Sequence, residues 1–409
     1  MKWIWILLVA ALALGSAVLL MPRAHHAASS AATFDAFLRQ TREEAALPGI
    51  AVVIVRDGEI AHASGHGFAD VETGRPMTPD TPMNLASISK PVLGIAVLRL
   101  RDENKLSLDA DINEYLPFAV RNPNAPDTPI SMRMLATHTS SIADFYAPDE
   151  FTPGEDSSTE LGDYLQDLLS PNGARYDDGA HYLNAAPGST REYSNLGAAV
   201  AGAAIEATAG EPLAEYQQRT LFTPLGMSHT SWRIADFAQG ELANRYRVRQ
   251  CIPWINLCTD TERPIWNEII GRLFDPPARF KHVEPYGQLG EPTYPDGGLN
   301  ASANDLATLM LAIMNNGAVG EYQMLSPQSF EDMFQLQAPA LDDRQRFFWR
   351  DRDGLTGHAG SDRGVFTYMY FDRTQRNGFI VLINRTPDSG TERTMDAIIA
   401  RIRSDFFKQ

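Results

Sequence analysis

Lysine is scarce in this chain. Five of 409 residues are lysine (Lys2, Lys90, Lys105, Lys281 and Lys408), and 35 Lys+Arg stand against 51 Asp+Glu, a net charge of −16. A surface this acidic repels phosphate backbones, which excludes general nucleic-acid binding. Cysteine is scarcer still, limited to Cys251 and Cys258. With no histidine or third cysteine close by, that pair cannot supply the four ligands of a structural zinc site, and no metal is expected. In an oxidising compartment such a close pair favours a disulfide closing a short loop; two buried thiols are the other reading. Several chemical signatures are also missing. There is no Gly-x-Ser-x-Gly, His-Glu-x-x-His, Walker loop or Gly-x-Gly-x-x-Gly, which removes the α/β-hydrolase, zincin, P-loop and dinucleotide-binding classes. Asp109-Ala110-Asp111-Ile112-Asn113 opens like a calcium loop. Glu114 and Val120 stand where that loop needs glycine and a bidentate glutamate, so it reads as a solvated turn.

What is present is ordinary for a globular protein: 44% hydrophobic and 21% charged residues. Met1-Lys2 precedes an apolar run from Trp3 to Met21, followed by Arg23 and a small-residue stretch. A short positive start, an apolar core and small residues make an export signal. The run is also about long enough to span a bilayer, so a cleaved signal over residues 1–31 and an uncleaved anchor through residues 3–21 are both open. Either way residues 32–409 are expected outside the cytoplasm, periplasmic or secreted, or tethered to the inner membrane.

Phe34–Leu47 has helical apolar spacing, and Ile50–Val55 and Glu59–Phe68 read as strands joined at Asp57-Gly58, a hairpin turn signal. A helix is expected from about Ser87 to Asp102. From about 105 to 300 the chain reads as mostly helical segments (Ser131–Thr137, Glu160–Leu169, Asn195–Ala209, Leu213–Leu221) broken by Pro/Gly loops. After a helix at Asn304–Asn315, strands return at Arg346–Arg350, Val365–Phe371 and Phe379–Asn384, before a final helix over Thr391–Phe407. Strands at both ends imply one antiparallel sheet assembled from the two chain ends and flanked by helices, an α+β architecture with an inserted helical region. The stretch from about 240 to 295 holds seven prolines among aromatics. Prolines at that density argue against long helices or central strands there. It reads as a substrate-facing cap or as a structural decoration.

The chemistry concentrates in three short motifs. In Ser87-Ile88-Ser89-Lys90, residues i and i+3 of a helix share a face, which brings the Lys90 ammonium to the Ser87 hydroxyl. A desolvated lysine with a depressed pKa could take the serine proton. Of the five lysines, only Lys90 has a serine three residues before it. Tyr193-Ser194-Asn195 opens an Ala/Gly-rich helix, where Tyr193 could relay protons and Asn195 hold a substrate carbonyl. Tyr182-Leu183-Asn184 has the same spacing, but Asn195 in a capping position favours the later match. His358-Ala359-Gly360 precedes the Val365–Phe371 strand, where a strand edge could take an extended substrate by main-chain hydrogen bonds.

Ser-x-x-Lys, Tyr-x-Asn and His-x-Gly in this order resemble the serine β-lactamase and penicillin-binding protein family, its class C-like branch in particular. The resemblance covers about residues 35–405. It extends to Leu135-Ala136-Thr137-His138-Thr139-Ser140, Pro187-Gly188, Pro224-Leu225-Gly226-Met227 and Gly297-Gly298-Leu299 with Ser302 and Asp305. It implies a β-lactamase/transpeptidase-like fold and a serine hydrolase working without a cofactor through an acyl-Ser87 intermediate, on an amide, a D-Ala-D-Ala-like peptide or an ester. Lys90 and Tyr193 would share general acid/base work, Asn195 would position the substrate amide, and the backbone N–H groups of Ser87 and Ser361 would form the oxyanion hole. His358 stands where dedicated β-lactamases have lysine, which is similar to carboxypeptidase and esterase-like relatives. The other readings are an esterase without peptidase activity and a penicillin-binding sensor with little turnover. Ser141 occupies a position where the family often has glycine, and His138 is expected to be structural.

Overall fold

The computed structural model describes residues 31–252, 257–259 and 281–407, without the side chains of 250–252, 257–259 and 281. The export signal or anchor expected over residues 1–31 therefore lies almost wholly outside the described residues. Among the described residues no helix is long and apolar enough to cross a membrane.

A helix over residues 31–44 (α1) leads into β1 (Gly49–Arg56) and β2 (Glu59–Asp70). Asp57 and Gly58 both have positive φ, 56° and 79°, which is the two-residue turn that suits the twist of a hairpin. After β3 (Arg75–Pro76) the chain leaves the sheet and returns much later as β4 (Arg350–Arg352), β5 (Leu355–Asp362), β6 (Val365–Asp372) and β7 (Asn377–Ile383). The order across this seven-stranded antiparallel sheet is β4-β5-β6-β7-β1-β2-β3. Both chain ends thus meet at its centre, with Ile50 opposite Ile383.

The continuous apolar run of β1 follows from burial on both faces. Ile50, Val52 and Ile54 pack with Phe34 and Leu38 of α1 and with Met395, Ile398 and Ile402 of the last helix, α5 (Ser389–Ile402). Ala51, Val53 and Val55 point the other way into a larger core. That core is shared with α2 (Ser89–Asp102), α3 (Asn195–Ala209) and α4 (Ala303–Met314). Alternation along a strand makes such a division automatic.

Three expectations need correction. The strand expected at Arg346–Arg350 is confined to Arg350–Arg352, because Phe348 turns the chain at φ 58° while Phe347, Phe348 and Trp349 plunge into the core. The segment carrying His358 is a full strand, β5, absent from the sequence reading; its glycines and small residues hid the pattern. The proline-rich stretch does hold a central strand: Tyr246–Ile252 runs between Leu257–Thr259 and Lys281–Pro285 in an antiparallel ribbon. Among the described prolines, Pro285 ends a strand and Pro292 and Pro295 lie beyond the ribbon, so none interrupts the ladder. This ribbon sets Cys251 directly opposite Cys258.

Gly360 of β5 fixes how closely the sheet approaches the helical layer. A Cβ there would fall 2.3 Å from the Leu85 carbonyl oxygen and 2.4 Å from Thr367 Oγ1, two atoms already hydrogen-bonded to each other at 2.8 Å. Gly360→Ala is expected to destabilise the fold by about 1–3 kcal/mol, as overpacking does. An unchanged urea midpoint would show that this approach is looser than described.

Candidate active site

Leu85 leads into a tight 3-10 turn, Ala86–Ile88, that runs directly into α2. Ala86 has φ 49°, an unfavourable conformation for a residue with a Cβ. It is held by hydrogen bonds at both ends of its peptide unit: its N–H donates to Asn84 Oδ1 at 2.9 Å, and its carbonyl accepts from Ser89 Oγ at 2.6 Å. The turn presents Ser87 to solvent at the floor of a cleft of about 600 Å³. One helical turn on, Lys90 is wholly buried.

The Lys90 ammonium donates to Ser87 Oγ at 3.1 Å, to Asn195 Oδ1 at 2.6 Å and to the Asp296 carbonyl at 2.6 Å. It also lies 5.1 Å from the centre of the Tyr193 ring. The Tyr193 hydroxyl donates to Ser87 Oγ at 2.8 Å. Three segments far apart in sequence therefore converge on the Lys90 ammonium, and two of them reach the serine oxygen. Tyr182 is elsewhere, its hydroxyl bonded to the Leu169 carbonyl in the core at 3.0 Å, which decides between the two Tyr-x-Asn matches.

Burial pushes the Lys90 pKa down, but Tyr193, the Asp296 carboxylate and Glu291 outweigh it, and the net shift is upward. This corrects the expectation of a depressed lysine. Tyr193 and the acidic groups around it, which no sequence pattern marks, favour the ammonium form of Lys90.

Asn195 does not cap α3. Ser194 does, its Oγ accepting from Gly197 N–H at 2.8 Å. Asn195 is the first helical residue, its N–H donating to Asp144 Oδ1 at 2.8 Å, and its side chain faces both Lys90 and the cleft. Its amide oxygen is committed to the ammonium as well as available to a ligand. His138 is buried, and its Nδ1 accepts from the Ser194 N–H at 3.3 Å. Its ring lies against Tyr193 with centroids 4.4 Å apart. It supports Tyr193 as a structural residue. Ser141 reaches φ 61° without a glycine, and its Oγ accepts from Asn122 Nδ2 at 2.9 Å.

His358 flanks Tyr193 from the other side at 6.4 Å between centroids. Its pKa is pushed to about 3 by burial first and by the Lys90 charge, so it is neutral. A carbonyl can only accept, so the 2.6 Å contact from Nδ1 to the Ala359 oxygen places the proton on Nδ1. Ser361 and Asp362 line the cleft beyond Gly360. Strand β4 covers β5 only from Leu355 to Gly357, leaving the outer edge from His358 onward facing the serine turn.

Sequence reasoning missed the acidic wall of the cleft, Asp144, Glu291, Asp296 and Asp362. Of these only Asp296 adjoins a quoted motif, the Gly297-Gly298 pair. Of the proline-rich stretch, Tyr286 and Glu291 line the cleft, while residues 253–256 and 260–280 lie outside the described residues. The calcium-like turn is held by arginines, Asp109 to Arg133 and Asp111 to Arg121. Among the described residues no cluster suited to a metal is present.

The Beta-lactamase family model matches residues 34–403. The chain belongs to the β-lactamase family. Esterase EstB of Burkholderia gladioli is 36% identical over 203 residues, 49% of this chain and 51% of that protein. Protein flp of Staphylococcus aureus (strain NCTC 8325 / PS 47) is 23% identical over 352 residues, 86% of this chain and 62% of that protein. The chain thus matches about half to six-tenths of these relatives' own length. The class C β-lactamase from Rhodobacter sphaeroides shares the fold, with a TM-score of 0.61 at 20% identity, over 92% of this chain and 99% of that one. The antiparallel sheet built from both ends is therefore the β-lactamase/transpeptidase-like fold expected from the sequence.

The carboxyl group of Asp296 is pushed up to about 6 from an ordinary 3.8, by burial first, against the pull of Lys90. From about pH 4 to pH 6 the folded chain holds a proton that the unfolded chain has released, so this group's contribution to stability falls as pH rises. Asp296→Asn cannot ionise and should lose less stability than the wild type between about pH 4 and pH 7 in urea unfolding. Equal losses would mean that Asp296 ionises normally.

Proposed function

We propose that the chain is an exported serine hydrolase that acylates Ser87 and acts on an ester or amide lacking a free carboxylate beside the scissile bond. The observation that carries the reading is the pair of hydrogen bonds that Ser87 Oγ receives, from Lys90 Nζ and from Tyr193 Oη. A serine so placed at the floor of an open cleft is an activated nucleophile.

The base role is assigned to the Tyr193 oxygen, 2.8 Å from Ser87 Oγ and paired with the Lys90 ammonium; it acts once it has given up its own proton. That oxygen takes the Ser87 proton as Oγ bonds to the substrate carbonyl carbon, and it returns the proton to the departing oxygen or nitrogen. In the second half a water gives its proton along the same route, and its oxygen displaces Ser87 Oγ. The N–H groups of Ser87 and Ser361 are assigned to the developing oxyanion, a role worth about 3–4 kcal/mol per donor. No cofactor enters either step.

The choice of substrate class rests on charge. A permanent cation would attract a substrate carboxylate, but His358 is neutral, and among the described residues four acidic side chains line the cleft against one guanidinium, Arg363. The esterase reading is favoured over the D-Ala-D-Ala peptidase and sensor readings for this reason, and the similarity to an esterase supports it.

Ser87→Ala should abolish labelling by a fluorophosphonate and lower kcat/KM for a short 4-nitrophenyl ester by about 10⁴-fold or more. Undiminished labelling of that variant would sink the assignment. Tyr193→Phe keeps the ring but removes the hydroxyl, and kcat should fall about 10²- to 10⁴-fold, with KM little changed. A loss confined to KM would assign Tyr193 to binding alone.

A further inference from the structure

Glu291 is nine-tenths buried, only 8% exposed, yet its side chain lines the catalytic cleft. Among the described residues no hydrogen bond or salt bridge reaches its carboxylate. The other acidic groups of this wall are engaged. Asp144 accepts from the Asn195 N–H at 2.8 Å, Asp362 accepts from Tyr146 Oη at 2.7 Å and pairs with Arg245, and Asp296 lies 3.8 Å from the Lys90 ammonium. Arg363, the one cation lining the cleft among the described residues, is turned towards the Pro148 carbonyl and Asp149. Position adds to the case. A Cβ on Gly297 would fall 3.1 Å from Glu291 Oε1, so the carboxylate rests beside the segment whose Asp296 carbonyl holds Lys90. An unpaired carboxyl in that place costs stability unless a partner arrives.

We infer that Glu291, backed by Asp296, forms a subsite for a primary ammonium group on the substrate, so that the enzyme acts on amino-bearing esters or amides. This rests on the serine hydrolase reading above and narrows its substrate class. An ammonium supplies what Glu291 lacks among the described residues, a compact cation with three donors. Burial first, and then the neighbouring Asp296 and Asp362 charges, hold the Glu291 carboxyl well above the usual carboxylate range against the pull of Arg245 and Lys90, and a cation bound beside it would lower its pKa. A substrate carboxylate in the same place would be repelled by the Asp296 and Asp362 charges.

The test compares two nearly isosteric substrates, the β-alanyl and butyryl 4-nitrophenyl esters, which differ in ending on an ammonium or a methyl group. The full chain is assayed as wild type, Glu291→Gln and Glu291→Asp, and the readout is the ratio of the two kcat/KM values within each protein, which cancels any general loss. In the wild type the β-alanyl ester should be favoured about tenfold or more, as expected for a desolvated charge pair. n-Butylammonium should inhibit butyryl ester hydrolysis competitively, whereas sodium butyrate should not. Glu291→Gln should bring the ratio close to one, and Glu291→Asp should retain a preference for the ammonium. If the wild type turns over the butyryl ester but shows no ammonium preference and no inhibition by n-butylammonium, the subsite is wrong and the hydrolase reading stands. A preference that survives in Glu291→Gln also overturns it. No turnover of either ester, with no labelling of Ser87, overturns both. Should Glu291→Gln fail to fold, the wild-type ratio and the n-butylammonium arm decide alone.

Discussion

The buried ammonium of Lys90 holds the catalytic half of the molecule together. It has no water to solvate it, so every N–H must find an oxygen in the protein. Those oxygens come from the serine turn, from the start of α3 and from the loop ending in the Gly297-Gly298 pair. The segments meet because a misplaced one would leave a charge unpaired in the interior, and breaking such a pair typically costs about 3–5 kcal/mol. The ion thus acts as the keystone for the hydroxyl it activates. The strained Ala86 and the close approach of Gly360 are secondary features that bring the turn and the strand up to it.

The same ion sets the electrostatics around it. It holds the two imidazoles that flank Tyr193 in their neutral forms, His138 and His358 both being lowered by burial and by the Lys90 charge. Tyr193 therefore lies between two uncharged rings, with the ammonium near its ring. The surplus of negative charge seen in the composition is not all spread over the surface. Part of it is gathered around this cation, where carboxylates on the cleft wall favour positive over negative ligands.

Much of the fold was legible because its central strands are buried on both faces and its hairpin turn is a two-residue Asp-Gly. The Ser87–Lys90 pair was legible because helical geometry forces residues i and i+3 together whatever surrounds them. Strand β5 was not, since Gly357, Ala359 and Gly360 carry no apolar alternation; the smallness of Gly360 serves the approach to Leu85 instead. The charge state of Lys90 was also hidden. It depends on the Asp296 main-chain oxygen and on carboxylates some 200 residues downstream, and no local pattern encodes a backbone contact. Glu291 fell within a stretch whose prolines and aromatics drew attention to shape and away from charge.

The pairing of β1 with β7 has a consequence for how the chain comes into being. Ile50 is made about 330 residues before Ile383, its partner at the centre of the sheet. Until β7 is made, one edge of the apolar strand β1 is unpaired, and such an edge recruits other chains. The central sheet closes only when β7 arrives, and this one strand pairing spans about 330 residues while the other pairings in the sheet join neighbours in the chain, so it is the pairing that slows folding. Truncation anywhere before β7 removes the strand that closes both cores.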